Sequence, residues 1–172
     1  MPHNVNQAEL VRFVAAVKND PQEAQKQKVV EVAWNLREGA PQVSAELKYA
    51  KGSRSVECEL PVFTGGWGNS PDPIQYCLFG LASCFAVTLA ATATAEGIPL
   101  TELKVKAENR MDLRKQVGLS TDPIIQDVQF TVTARSPNGQ AAVKRLVKLA
   151  EERCPGTECL TRAIPFRIDL AP

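Results

Sequence analysis

Histidine is almost absent from this sequence of 172 residues, where the single example is His3, close to the start. Without an internal histidine, one chain cannot build a Ser-His-Asp triad, a papain-like Cys-His pair or a histidine-rich metal site. His3 itself stands in a terminal segment that we expect to be frayed. Any chemistry must therefore depend on cysteine, arginine, lysine, carboxylates or tyrosine.

The sequence also lacks an excess of charge of either sign. Its 20 lysines and arginines balance 19 aspartates and glutamates, for a formal net charge of +1, and no basic run is present. This balance gives no reason to expect nucleic acid or an anionic membrane as a partner. The start, MPHNVNQAEL, has no cationic stretch followed by an apolar core, so no secretory signal is predicted. We therefore expect a cytoplasmic location.

Paired cysteine motifs are missing as well. The five cysteines are an odd number and include no CxxC, which argues against a disulfide framework, a thioredoxin-like motif and a zinc ribbon. Zinc bound by four thiolates is disfavoured because the cysteine spacings are not those of the usual zinc knuckles. GGWGNS is not followed by GK[ST], so it indicates a turn rather than a phosphate cradle. We predict no metal and no cofactor.

The apolar pattern that is present predicts an α+β fold of order βββ-α-ββ-α-β, with an extra helix in front. The front helix over 6–18 and a polar linker form an N-terminal extension, 1–28, before the main domain, 29–172. The predicted elements of that domain are a three-stranded meander (29–36, 43–49 and 54–60), a helix (73–96), two strands (103–111 and 124–134), a helix capped by Ser136-Pro137 that ends near 153, and a last strand (164–170). The two long helices are expected to pack on antiparallel sheet.

The central helix contains LFGLASCFAVTLAATATAEG and carries no charge between Pro73 and Ala95. At about 1.5 Å per residue it approaches the thickness of a bilayer. Its glutamine, serine and threonine residues and its many alanines favour a buried helix instead, and Asp72 is the predicted N-cap. A helix buried on all sides needs partners that one chain does not supply, so we expect a homodimer and no membrane.

Helical spacing puts one thiol on a stripe of each long helix. Cys84 shares a helix face with Cys77, Leu81, Thr88 and Ala91, and Cys154 closes the stripe of Val143, Val147 and Ala150. If these stripes face each other, the sulfurs of Cys84 and Cys154 approach. Periodicity alone nevertheless favours packed, inert thiols, clearly so for Cys58 and Cys77, and leaves Cys159 undecided.

The segment NSPDPIQYCLFGLASCFAVTLAATATAEGI, followed by strands and then by LVKLAEERCP, resembles the OsmC/Ohr family of thiol-dependent peroxidases. The resemblance extends from about Val29 to Leu170. It implies an intertwined homodimer whose central helices pack together, with two sites at the interface. It further implies that Cys84 is the peroxidatic cysteine and Cys154 the resolving cysteine, regenerated by an external dithiol reductant.

The resemblance also implies a cation that stabilises the Cys84 thiolate, since burial raises the pKa of a thiol. Arg37, in LREG, stands where the arginine of the family is expected, and Arg54 is the alternative. The family glutamate that pairs with this arginine is replaced here by Ile74. Organic hydroperoxides are the expected substrates, because the predicted pocket walls are apolar: Trp67, Phe79, Leu81 and Phe85.

Two other functions remain open at this point. One is a non-catalytic OsmC-like dimer that binds a small apolar ligand in the same cleft, with the thiols merely packed. The other is a structural relative without activity.

Overall fold

The computed structural model describes residues 2–171, which divide into two compact units. The meander unit is Phe13–Leu78, and the helical unit joins the N-terminal segment, as far as Arg12, to the chain from Phe79 onwards. The predicted boundary between an N-terminal extension, 1–28, and a main domain, 29–172, stays a prediction.

The meander unit contains the predicted three-stranded antiparallel sheet in the order β1-β2-β3. Its strands are β1 (Val32–Trp34), β2 (Val43–Tyr49) and β3 (Gly52–Cys58), and β2 pairs with β3 from Val43 opposite Cys58 to Tyr49 opposite Gly52. β1 is shorter than predicted because the chain turns at Asn35. The side-chain oxygen of Asn35 accepts a hydrogen bond from the Arg37 N–H at 3.0 Å.

A buried carboxylate organises the loop after β3. Glu59 is 1% exposed, and its oxygens accept hydrogen bonds from the backbone N–H groups of Trp67, Asn69 and Ser70. Burial by itself raises the pKa of Glu59, but these N–H donors outweigh it and hold the pKa below the ordinary value. A Cβ at Gly66 would lie 1.6 Å from the Leu60 carbonyl oxygen, so this loop requires glycine there. GGWGNS is thus a turn, as predicted, and its N–H groups are occupied.

The long helix α2 (Pro73–Ala95) begins with the predicted cap. The Asp72 carboxylate accepts from the N–H groups of Ile74 at 2.8 Å and Gln75 at 3.0 Å, while Gln75 Oε1 accepts the Asp72 N–H. Gly97 ends the helix with a φ of +65°, and the Ile98 N–H donates to the Ala93 carbonyl at 3.0 Å. Both predicted ends are confirmed to within a residue.

The helical unit packs helices on a two-stranded antiparallel sheet. Its other elements are β4 (Glu102–Met111), β5 (Ile125–Arg135), α3 (Gly139–Arg153) and α4 (Pro155–Thr161), and the front helix α1 runs from Gln7 to Asn19. Residues of α2 and α3 form a buried cluster against Leu103 and Val105 of β4 and Phe130 and Val132 of β5. The rings of Phe85 and Phe130 meet edge to face with centroids 5.6 Å apart. The α+β class and the packing of the long helices on antiparallel sheet are confirmed.

Two predictions near the C-terminus are wrong. The segment after Cys154 forms the short helix α4 instead of a loop, because Pro155 suits the first helical position. Within residues 2–171, the predicted last strand over 164–170 is not paired with any strand, and Phe166 is 83% exposed. Alternation of apolar residues specifies the two faces of a strand but does not supply the neighbouring edge whose hydrogen bonds the strand needs.

By length and composition α2 is apolar enough to cross a bilayer, since its most apolar window has a mean hydropathy of 1.8. One such helix is weak evidence for a membrane span, because the core helix of a globular protein has the same length and hydropathy. Only 28% of that window is buried in the single chain. Full burial of α2, as the sequence predicts it, is therefore not reached within one chain.

His3 is docked rather than frayed, contrary to the expectation from the sequence. Its Nε2 accepts a hydrogen bond from the Leu100 N–H at 2.8 Å, and its Nδ1 lies 2.9 Å from the Thr94 hydroxyl. That hydroxyl donates to the Ala90 carbonyl at 2.8 Å, so the Nδ1–H donates to Thr94. The network is complete only for the neutral imidazole, because a protonated Nε2 cannot accept.

Replacing His3 with Ala should expose the Leu100 amide, because its acceptor is lost. We expect hydrogen exchange at that amide to accelerate roughly three- to tenfold, the size of one ordinary hydrogen bond. Gln7→Ala is the control. Unchanged protection of Leu100 in H3A would contradict this docking.

Candidate functional site

The structure brings together the two cysteines singled out from the sequence. Cys84 lies in the middle of α2, partly buried, and packs against a buried cluster that contains Cys154. Cys154 joins α3 to α4 and is 2% exposed. Both thiols are free. They therefore form a reduced, adjacent pair inside the helical unit.

The two stripes meet slightly differently from the prediction. On α3 the buried positions are Val143, Leu146 and Ala150, which continue to Cys154 as expected. The buried face of α2 is centred on Phe85, Leu89, Thr92 and Ala93, about one residue further along than the predicted face of Cys84, Thr88 and Ala91. Cys84 consequently lies at the margin of the buried face, where it is partly buried.

Gly156 allows the first turn of α4 to approach Cys84. A Cβ built on Gly156 would lie 3.2 Å from Cys84 Cβ, 3.5 Å from Cys84 Sγ and 3.5 Å from Leu81 Cδ2. Any larger side chain would push the two elements apart. The sequence analysis missed this residue, although a glycine directly after Cys-Pro is a signal of close backbone approach.

The electrostatic surroundings distinguish the two sulfurs. Burial raises the pKa of the Cys154 thiol, but the N–H and hydroxyl of Thr157, the Cys84 thiol and the Gly156 N–H together bring it below its ordinary value. No side-chain hydrogen bond of ordinary geometry caps α4 at Cys154. The pKa of Cys84 is raised, first by burial and then by the sulfur of Cys154, with the Gly156 N–H opposing.

An open cavity of about 580 Å³ lies beside the pair in the helical unit. Phe85, next to Cys84, and Thr157, next to the Cys154 sulfur, belong to its wall. Most of the remaining wall is apolar and comes from Ile125, Val128, Phe130, Val132, Val147 and Leu160, while Asp127 and Glu151 contribute carboxylates. Neither Cys84 nor Cys154 lines the cavity, so it offers apolar surface on the elements that carry the thiols rather than at the sulfurs themselves.

Of the four predicted wall residues, one lines this cavity. Phe85 does so, and Leu81 instead faces Gly156. Phe79 is 70% exposed, and Trp67 belongs to the meander unit, where it is also exposed. The cavity is apolar, but β5, α3 and α4 build most of it instead of the predicted residues.

The predicted cations lie in the meander unit. Arg37 is in the turn between β1 and β2, is exposed, and takes part in no salt bridge among the residues that the structure describes. Arg54 lies on β3 opposite Leu47 and is also exposed. Ile74 lies in the first turn of α2, and its backbone N–H donates a hydrogen bond to the Asp72 carboxylate. Its side chain offers no carboxylate with which an arginine could pair.

The other three thiols have separate environments. Cys58 is partly buried, and its pKa is raised by burial and then by the charge of Asp72. Cys77 and Cys159 are exposed, so the prediction of a buried Cys77 is wrong for the single chain. Within residues 2–171, there is no group of three or more His, Cys, Asp or Glu side chains that could hold a metal ion.

A family model described as OsmC-like protein matches residues 66–169, which include the thiol pair, Gly156 and Thr157. The chain belongs to the OsmC-like family. Arg37 lies outside the matched part of this OsmC-like chain. No curated protein matches the sequence.

Solved structures show the same fold at low identity. An OsmC-like protein from Mycoplasma pneumoniae is 19% identical with a TM-score of 0.56, over 78% of this chain and 89% of its own. An organic hydroperoxide resistance protein OsmC from Legionella pneumophila is 18% identical with a TM-score of 0.57, over 80% and 92%. An OsmC-like protein of unknown function from Vibrio cholerae is 11% identical with a TM-score of 0.57, over 80% and 95%.

Proposed function

We propose that this OsmC-like protein is a thiol-dependent peroxidase that reduces organic hydroperoxides. The observation that carries the proposal is the pairing of Cys84 with Cys154, two reduced thiols in contact with one buried cluster and beside an apolar cavity. A similar fold in a protein named for organic hydroperoxide resistance supports the same chemistry. Because the cycle needs thiols that are returned to the reduced state, we place it in the cytoplasm.

The first step is attack of the Cys84 thiolate on the hydroperoxide. The sulfur takes the terminal oxygen, the O–O bond breaks, and the alkoxide leaves with a proton from solvent as an alcohol. Cys84 becomes a sulfenic acid, so the sulfur is oxidised by two electrons and the peroxide is reduced. The apolar cavity favours hydroperoxides with hydrocarbon substituents over hydrogen peroxide.

The second step joins the two cysteines. The Cys154 thiolate attacks the sulfur of the Cys84 sulfenic acid, an S–S bond forms, and the hydroxyl leaves with one proton as water. An external dithiol then reduces the disulfide and is itself oxidised. The lowered pKa of Cys154 suits this role, because the attacking group is a thiolate.

Activation of Cys84 requires a cation, since its own pKa is raised. We propose Arg37 for this role, as the family resemblance implies, with Arg54 as the alternative. Ile74 provides no carboxylate to anchor the guanidinium, and Arg37 has no ion pair within residues 2–171, which leaves it available.

The working form that we propose is an intertwined homodimer. The most apolar window of α2 is 28% buried in one chain, and side chains such as Phe79 and Val87 are exposed along it. The alternating apolar residues of 164–170 are likewise exposed and unpaired in the described chain. A second copy would cover α2 and offer a sheet edge to this segment.

The alternative function is a non-catalytic dimer that holds a small apolar ligand. The cavity of about 580 Å³ favours it, because that volume falls within the range of small-molecule sites. In that case the thiols are packing residues and do not react with peroxide.

Three substitutions separate the proposed roles in an assay of cumene hydroperoxide consumption. Cys84→Ser should reduce consumption to the background rate. Cys154→Ser should allow one turnover and then over-oxidation of Cys84 to sulfinic acid, read by mass spectrometry. Arg37→Met should slow consumption about tenfold or more at neutral pH, because each unit of pKa changes the thiolate fraction tenfold.

Cys159→Ser, on an exposed cysteine of α4, is the matched control and should behave as the wild type. Normal turnover of C154S would assign resolution to Cys159 or Cys77. Persistence of the first turnover in C84S, with its loss in C154S, would show that the two roles are reversed. Wild-type rates in every variant would leave ligand binding as the function.

The dimer is tested by sedimentation equilibrium of the reduced protein. We expect the mass of two chains, because an uncovered α2 is unfavourable in water. A monomer mass over the micromolar range would contradict this assembly.

A further inference from the structure

Gly156 stands where the backbone conformation does not require glycine. Seven of the ten glycines have a positive φ, the region that favours glycine, and Gly156 is not among them. It is instead the second residue of α4, and glycine weakens a helix relative to alanine. A glycine in this position therefore needs a packing reason, which has to come from the atoms that it faces.

The atoms that Gly156 faces belong mainly to Cys84. A Cβ at position 156 would lie 3.2 Å from Cys84 Cβ, 3.5 Å from Cys84 Sγ and 3.5 Å from Leu81 Cδ2. The end of the Leu81 side chain can rotate away, but Cys84 Cβ is bonded to the backbone of α2 and cannot. A methyl group at position 156 would therefore move α4 away from Cys84 by a few tenths of an ångström.

Such a movement would reach Cys154, because only Pro155 separates it from Gly156. Cys154 has an extended backbone, with φ −83° and ψ 118°, which is the conformation that a following proline favours. The ring of Pro155 fixes the next φ. Few rotations are left to absorb a shift of α4, so the place of the Cys154 sulfur is tied to the contact between Gly156 and Cys84.

Disulfide chemistry is sensitive to a shift of this size. An S–S bond is about 2.0 Å long and needs Cβ atoms about 3.5–4.5 Å apart. Cys154 is 2% exposed, and Ala150, one turn earlier on α3, is fully buried in the same cluster. Close packing leaves these side chains little room to readjust if α4 moves.

We propose that Gly156 is a positioning residue of the thiol pair: because it has no side chain, it sets the separation of Cys154 from Cys84 and so favours disulfide formation over further oxidation of Cys84. This inference rests on the proposed peroxidase function and deepens it by naming what controls resolution. Gly156 itself is not a reactant.

Two reactions compete for the Cys84 sulfenic acid. In resolution, the Cys154 thiolate attacks its sulfur, the S–S bond forms, the S–O bond breaks, and the hydroxide takes a proton from solvent. In over-oxidation, the sulfur takes the terminal oxygen of a second hydroperoxide, whose O–O bond breaks, so that an alcohol leaves and Cys84 becomes a sulfinic acid. Only resolution depends on the separation of the two cysteines.

The first measurement is the equilibrium between the reduced pair and its disulfide in mixtures of oxidised and reduced dithiothreitol. The Cys84–Cys154 disulfide is quantified by peptide mass spectrometry after the free thiols are blocked. We expect the equilibrium constant for disulfide formation to fall about tenfold in G156A, because the added methyl group holds the cysteines apart. G80A is the matched control and should match the wild type, since a Cβ at Gly80 on α2 meets nothing within 4 Å.

The second measurement is the ratio of Cys84 sulfinic acid to disulfide after addition of excess cumene hydroperoxide. We expect this ratio to rise about tenfold in G156A, because resolution is slowed and over-oxidation is not. The rate of the first attack should be the same in C154S and in C154S/G156A, since that step does not involve Cys154. A general loss of structure would slow both steps.

P155A is a second variant that adds no bulk. It leaves the space at Gly156 unchanged and loosens the link from Gly156 to Cys154. We expect its equilibrium constant for disulfide formation to fall about two- to fivefold, the usual size of a lost proline constraint. P155A therefore remains informative if G156A does not fold.

A disulfide equilibrium in G156A that matches the wild type, or one that falls equally in G80A, would overturn the positioning role. A wild-type value in P155A would do the same, because Cys154 would then not be tied to Gly156. Exchange with dithiothreitol needs no peroxidase activity. If G156A responds as expected in that exchange but the wild type consumes no peroxide, the proposed function alone is overturned.

Discussion

The site depends on one close approach, that of the first turn of α4 to Cys84. Gly156 makes this approach sterically feasible, since any Cβ there would meet Cys84 at 3.2 Å. The approach puts the backbone N–H of Gly156 near both sulfurs, where it lowers the pKa of each. In a sheltered site with reduced dielectric, such a donor acts more strongly than it would in water.

The same approach makes the two thiols unequal. Charge on Cys154 is favoured by several donors, while charge on Cys84 is opposed by burial and by the neighbouring sulfur. The titrations of two such neighbouring thiols are coupled. An unequal pair suits a cycle of attack and resolution, provided that a cation activates Cys84 when peroxide is present.

The sequence was sufficient where local rules decide the structure. The cap at Asp72, the stop at Gly97 and the meander all follow from spacing and composition. Spacing also put Cys84 and Cys154 each on a helix stripe, but whether those stripes met depended on the packing of the two helices. The sequence was insufficient where residues far apart in the chain determine the structure. Examples are the unpaired segment 164–170, the docking of His3 on Leu100 and the exposure of Cys77. Gly156 was missed because its role appears only once α4 is placed against α2.

The central claim is that the Cys84–Cys154 pair is a redox pair. Its most direct test is to add one equivalent of cumene hydroperoxide to the fully reduced protein, block the remaining thiols, and map the cysteines by peptide mass spectrometry. The account predicts a Cys84–Cys154 disulfide as the main product, with Cys58, Cys77 and Cys159 still blocked as free thiols. Five unreacted thiols in a folded protein, or a disulfide that excludes Cys84, would contradict it.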